Sequence, residues 1–174
     1  MATSGRYFVQ FRRRREGMTD YYQRQRLIVS GRIRMVIRKT NRHIIIQLVA
    51  AQMNGDYTLV HVDSRELANY GYKGYLGNTP AAYLTGMLFG VSAQKAGYEG
   101  AIADIGLQVA STGARVFAAV KGAVDAGFDI RVGEDILPDE DRCNGAHIAE
   151  YDDRYADLVS QVEAAKDAIM KELE

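Results

Sequence analysis

The chain has 174 residues, 47% hydrophobic and 25% charged, with 22 Lys+Arg balanced by 22 Asp+Glu. That length and apolar content suit one compact domain, and no apolar run reaches the roughly 18 residues that a membrane-spanning helix needs. The single cysteine, Cys143, cannot build an internal disulfide framework and fits a reducing compartment. No apolar segment follows the arginine-rich N-terminus, as a secretory signal would require, so a cytoplasmic protein is expected.

The neutral total hides an asymmetry. Residues 1–60 hold twelve Arg/Lys against three Asp/Glu, a net +9, and eleven of the twelve are arginine. Residues 134–174 hold thirteen acids against four basic residues, a net −9. Such a split points to a polyanion at the basic end and to solvent or a basic neighbour at the acidic end. Arginine favours bidentate phosphate contacts and stacking on bases more than lysine does.

In chain order, residues 1–17 ("MATSGRYFVQFRRRREG") lack clean periodicity and, alone in water, would repel themselves into disorder. Thr19-Asp20 offers a helix start and Gly31 a stop. Strands are expected over Arg32–Lys39, His43–Met53 and Thr58–Val62. The second is nearly continuous apolar and reads as buried on both faces. "MNGDY" signals a hairpin with Asn-Gly at the centre of a type I′ turn. A glycine-rich loop, "YGYKGYLGNTP", leads into a helix from Thr79 or Pro80 to about Ala96, with Thr79 as its cap.

"AIADIGL" reads as a strand, "STGARVFAAVKGAVDAG" as a helix capped by Ser111 or Thr112 and stopped at Gly127. A last short strand is expected over 128–132 and a helix near His147–Leu173. The order β-β-β-α-β-α-β-α implies an α/β fold, a mixed sheet opening as a meander with helices on its faces. The division expected is a basic N-terminal extension and helix (1–30), an α/β core (31–133) and an acidic C-terminal loop and helix (134–174).

The chemistry concentrates in the first third. Strand periodicity puts Arg32, Arg34 and Arg38 on one face and Ile33, Met35 and Ile37 on the other. Nothing close in sequence neutralises these arginines. The turn "KTNRH" adds Lys39, Arg42 and His43, with Asn41 as an amide able to read a base edge or a sugar hydroxyl. Tyr7, Phe8, Phe11, Tyr21 and Tyr22 supply flat surfaces for unpaired bases, which suits RNA loops. A solvated strand face explains one arginine; a cluster of twelve basic residues favours a nucleic acid.

Other signals are thinner. The glycine loop lacks the GxxxxGK[ST] of a P-loop, although Lys73 adds a cation. "STGAR" is either a plain helix cap or an anion site built on Ser111, Thr112, Gly113 and Arg115. Asp63 and Asp104 end predicted strands and leave open a metal-dependent nuclease. Cys143 and His147 give two metal-ligand types without a second pair.

Four stretches, "RIRMVIRKTNRHIIIQ", "YGYKGYLGNTPAAYLTG", "ADIGL" and "STGARVFAAVKGAVDAGFDI", together resemble the archaeal and eukaryotic branch of the universal large-subunit ribosomal protein family number eighteen, which binds 5S ribosomal RNA. The resemblance runs from about Tyr7 to Pro138, in matching order. It departs at Asp129-Ile130-Arg131, where the family has Asp-Ile-Pro. It implies a three-layer α/β/α fold of ribonuclease-H-like, translational-machinery-component type and a structural role without enzymatic activity.

That role is attachment of 5S ribosomal RNA to 23S ribosomal RNA in the central protuberance of the large subunit, beside neighbouring ribosomal proteins. No cofactor, metal, membrane or homo-oligomer is implied. The RNA contacts carried over are Tyr7, Arg12, Arg13, Arg14, Arg15, Arg24, Arg26, Arg32, Arg34, Arg38, Lys39, Asn41, Arg42 and His43. Lys73 and Ser111, Thr112, Gly113 and Arg115 form a second tier. The arginine ladder is then expected to stand unneutralised, with RNA phosphates as its counter-charge.

Overall fold

The computed structural model describes residues 4–172; the predicted helix end at Leu173 lies outside them. The strands are β1 (Arg34–Lys39), β2 (Ile44–Gln52), β3 (Gly55–Asp63), β4 (Gly100–Asp104) and β5 (Asp129–Ile130). They form one mixed sheet in the order β3-β2-β1-β4-β5. The first three are an antiparallel meander, and β4 and β5 add on in parallel.

The helices are α1 (Arg12–Arg15), α2 (Tyr21–Val29), α3 (Thr79–Lys95), α4 (Arg115–Asp125), α5 (Glu140–Asn144), α6 (Ala146–Ala149) and α7 (Leu158–Lys171). On one face of the sheet sit α3 and α4, with α7 outside α3. In α3 everything except Ser92, Gln94 and Lys95 is buried, as a helix that is apolar all round requires. α4 presses close to it: a Cβ on Gly86 would fall 2.0 Å from the Ala119 carbonyl oxygen, and one on Gly122 2.0 Å from that of Tyr83. Only glycine fits there.

Across the sheet, α2 is tied through Arg24 to Asp56 of β3, completing three layers, α/β/α. The core between sheet and α3–α4 holds Met35, Ile37, Ile44, Ile46 and Leu48, all sealed from water. Each such side chain contributes about 1.5–3 kcal/mol relative to exposure.

Several local expectations shift. β2 buries one face fully, with Ile44, Ile46 and Leu48, while Ile45 and Gln47 stay half-buried, because α2 covers only part of the second face. The hairpin pairs Gln52 with Gly55, so Met53 and Asn54 form its centre. Among the described residues only glycines have positive φ, so no type I′ Asn-Gly turn forms; Gly55 takes φ 138° as the first residue of the returning strand. Asn78, not Thr79, caps α3, its Oδ1 accepting from the Ala81 N–H.

The helix of "STGAR" starts late. Ala114 is its cap position and no side chain caps it, so Ser111 and Thr112 do not play that part. In place of one helix from His147, the C-terminal region forms α6, a short 3-10 turn and then α7. Gly145, at φ 83°, breaks the path before α6. The arginine run expected to be disordered forms the single turn α1, beside which Phe11 rests on Tyr21 with ring centroids 5.3 Å apart.

Candidate nucleic-acid interface

The predicted arginine ladder is not left unneutralised. β1 and β4 pair Arg34 with Ile102 and Val36 with Asp104, and alternate residues share a face. Asp104 therefore stands on the neighbouring strand between Arg34 and Arg38. Its Oδ2 accepts from Arg34 Nη1 at 3.0 Å and its Oδ1 from Arg38 Nη2 at 3.1 Å. Arg38 also donates to the Asp104 carbonyl.

From the other side, Asp56 Oδ1 lies 2.8 Å from Arg34 Nη2, while Arg24 grips Asp56 with two hydrogen bonds. Those bonds from Arg24, helped by Arg34 and opposed by burial, hold the Asp56 carboxyl below its ordinary value of 3.8. Arg34 is only 1% exposed. It is a structural post, and it offers no surface to a phosphate. Arg38 keeps a side chain 45% exposed and can still do so.

The other basic residues of the first sixty differ. Arg6, Arg12, Arg13, Arg14, Arg15, Arg26, Arg32, Lys39 and Arg42 form no salt bridge among the described residues. All of them except the half-buried Lys39 are exposed. The N-terminal arm keeps its side chains in place through aromatics: Arg14 sits 4.8 Å over the Tyr22 ring, and Arg13 Nε donates to Thr19 Oγ1. Such cation–π stacking leaves the charge accessible. Tyr7 is 46% exposed and Phe8 77%, so both remain open to bases.

At the far end of β1 the chain turns through Thr40–His43. Thr40 Oγ1 accepts from the His43 N–H, and the His43 carbonyl accepts from the Thr40 N–H. This closes the turn and pushes Asn41 and Arg42 to its exposed tip. Tyr75 O–H donates to the Asn41 carbonyl, and Arg115 donates to the Gly77 carbonyl. The turn, the glycine loop and the start of α4, far apart in sequence, thus meet at one end of the sheet.

The second tier divides. Arg115 is half-buried and spends an N–H on the loop. The Gly113 N–H donates to Ile136 and the Ser111 N–H to Val109, so the anion site expected on those amides is occupied by the protein itself. Lys73 is exposed, and its backbone is bonded to Gln161 of α7; the loop's link to the turn is made by Tyr75 instead. The nuclease constellation does not assemble. Asp63 accepts from the backbone and side chain of Arg65, Asp104 is held by two arginines, and no group of three metal-ligating side chains occurs among the described residues. Cys143 is buried, with Sγ 4.0 Å from the Pro138 carbonyl.

A groove of about 700 Å³ opens between α2 and the loop after β4, lined by Arg13, Arg24, Arg38, Asp56, Asp104 and the segment 105–108 among others. Sequence reasoning missed Asp56, Gln23 and Gln108 here. A lone aspartate in an apolar strand, as in "AIADIGL", was the available signal for Asp104; only strand order could aim it at Arg34.

The chain matches the family model described as "Ribosomal large subunit proteins 60S L5, and 50S L18" over residues 5–100 and 92–132. It is 86% identical to the large ribosomal subunit protein uL18 of Methanocorpusculum labreanum over the whole of both chains. Identity is 64% to the uL18 of Methanoculleus marisnigri and 61% to that of Methanoregula boonei, each over 99% of both chains. A basic arm with exposed aromatics, on an α/β/α core whose turn presents further cations, is thus found in a chain that belongs to the L5/L18 family of large-subunit ribosomal proteins.

Proposed function

We propose that this structural constituent of the large ribosomal subunit binds 5S ribosomal RNA and attaches it to 23S ribosomal RNA in the central protuberance. One observation carries the reading: nine basic residues of the first sixty have no carboxylate partner among the described residues, and they lie on the arm, on α2 and the link that follows it, and from the end of β1 into the 40–43 turn. A polyanion is the counter-charge that such a surface attracts. Aromatics interleaved with the arginines favour RNA with unpaired bases over a regular duplex.

Within this reading the contacts are Tyr7, Arg12 to Arg15, Arg26, Arg32, Lys39, Asn41, Arg42 and His43. Arg24 and Arg38 add partly exposed guanidinium edges, while Arg34 positions both. Phosphates set register and strength, and RNA shape with a few base contacts sets specificity. The test is a salt titration of 5S ribosomal RNA binding. Arg14→Ala with Arg42→Ala should flatten the log–log slope by about 0.7–0.9 per lost phosphate contact. Equal affinity for an unrelated RNA of the same length would sink the assignment to 5S RNA. No observation favours the nuclease reading.

A further inference from the structure

We propose that the groove between α2 and the loop 105–108 seats one unpaired nucleobase of the bound RNA; this rests on the RNA-binding reading above. Its volume of about 700 Å³ lies within the range of about 300–1,000 Å³ typical of small-ligand sites. The walls combine Tyr21, Leu27, Ile105 and Leu107 with the cations Arg13, Arg24 and Arg38 and the amides Gln23 and Gln108. Polar side chains outnumber apolar ones in this lining, so a flat heterocycle meets a few apolar faces to rest on and many donors and acceptors along its edge.

Charge decides for a base over a bare phosphate. Three carboxylates, Asp20, Asp56 and Asp104, line the same groove. Asp56 and Asp104 are bound by Arg24, Arg34 and Arg38, and Asp20 accepts from the Tyr22 and Gln23 N–H groups. The cations facing the groove are therefore largely balanced, and an anion gains little inside it. The rim is different, because Arg13 has no carboxylate partner among the described residues. A nucleotide would rest its phosphate on the Arg13 rim and turn its base inward.

The amides supply the readout. Gln23 and Gln108 are half-buried, and neither side chain has a hydrogen-bond partner among the described residues. A glutamine amide can meet the edge of a base with one donor and one acceptor together. Bases inside an RNA duplex cannot reach such a site; those of loops and bulges can.

The experiment uses the full chain and 5S ribosomal RNA. Gln23→Ala with Gln108→Ala, checked for an unchanged melting temperature, should bind about tenfold more weakly at every salt concentration. The salt slope should stay as in the parent, because no phosphate contact is lost. Affinity within about twofold of the parent overturns the inference and leaves 5S binding intact, and so does a slope that falls along with the affinity. Ultraviolet crosslinking of the parent complex gives a second reading: adducts on Tyr21 or on residues 105–108 to an unpaired nucleotide support the seat. Adducts confined to the arm or to Tyr75 overturn it. If the parent does not prefer 5S RNA over unrelated RNA, the functional reading fails and this one with it.

Discussion

Arg34 of β1 and Asp104 of β4 form a buried ion pair, Nη1 to Oδ2 3.0 Å, with side chains 2% and 7% exposed. The pair joins two parallel strands that are 70 residues apart in the chain. With Asp56 it also anchors Arg24, and so α2, to the sheet. A buried charge pair of this kind is weak evidence for net stability, yet breaking one side of it is severe.

Arg34→Ala leaves Asp104 with one arginine fewer and Asp56 short of a partner. The expected loss is about 3–5 kcal/mol, read as a lower urea midpoint with the slope preserved. A loss below about 1 kcal/mol, the range of surface pairs, would show that water replaces the guanidinium without penalty.

The Asp56 carboxyl titrates below 3.8 in the folded chain, chiefly because Arg24 donates to its charged form. A depressed folded value means stabilisation that is complete above the ordinary aspartate range and lost as pH falls through the folded value. Asp56→Asn should therefore lower stability at neutral pH and make the remaining stability less sensitive to acid. Urea midpoints of both chains, measured from about pH 7 downward, should draw together as the pH falls below 3.8. Parallel curves would assign the acid response to other carboxylates.

Gly86 and Gly122 permit the contact of α3 with α4, since a Cβ on either would fall 2.0 Å from a backbone oxygen of the other helix. Gly122→Ala should cost at least the 1–3 kcal/mol typical of an overpacked core, about the upper end, although alanine is the better helix former. Thermal melting checks this. An unchanged melting temperature would mean that the helices separate freely.

Burial raises the Cys143 thiol to about 11, so it is protonated and inert near neutral pH. A chromogenic disulfide reagent should leave the native chain unmodified and react promptly once urea unfolds it. Fast labelling of the native chain would place the thiol at the surface.

Much of the fold was legible because periodicity reports local burial. Alternation marked β1, the apolar run marked β2, and Asp20, Pro80 and Gly127 marked helix ends through backbone chemistry that needs no distant partner. Cap positions slipped by a residue where two candidates stood side by side, as with Asn78 and Thr79, since only geometry chooses between adjacent polar side chains.

By itself, then, the sequence determined the order of the elements from α2 to β5, the basic arm and the turn, because these depend on spacing and charge along the chain. It could not reveal that Arg34 turns inward. An arginine at an alternating position looks solvated until the strand order is known, and strand order is a long-range property. Pairing β4 beside β1 set Asp104 between Arg34 and Arg38, and the returning hairpin brought Asp56 to Arg24. Tertiary structure thereby split one apparent ladder into a buried post and an accessible edge, because a carboxylate within about 3 Å in a dry site outweighs the pull of solvent on a guanidinium.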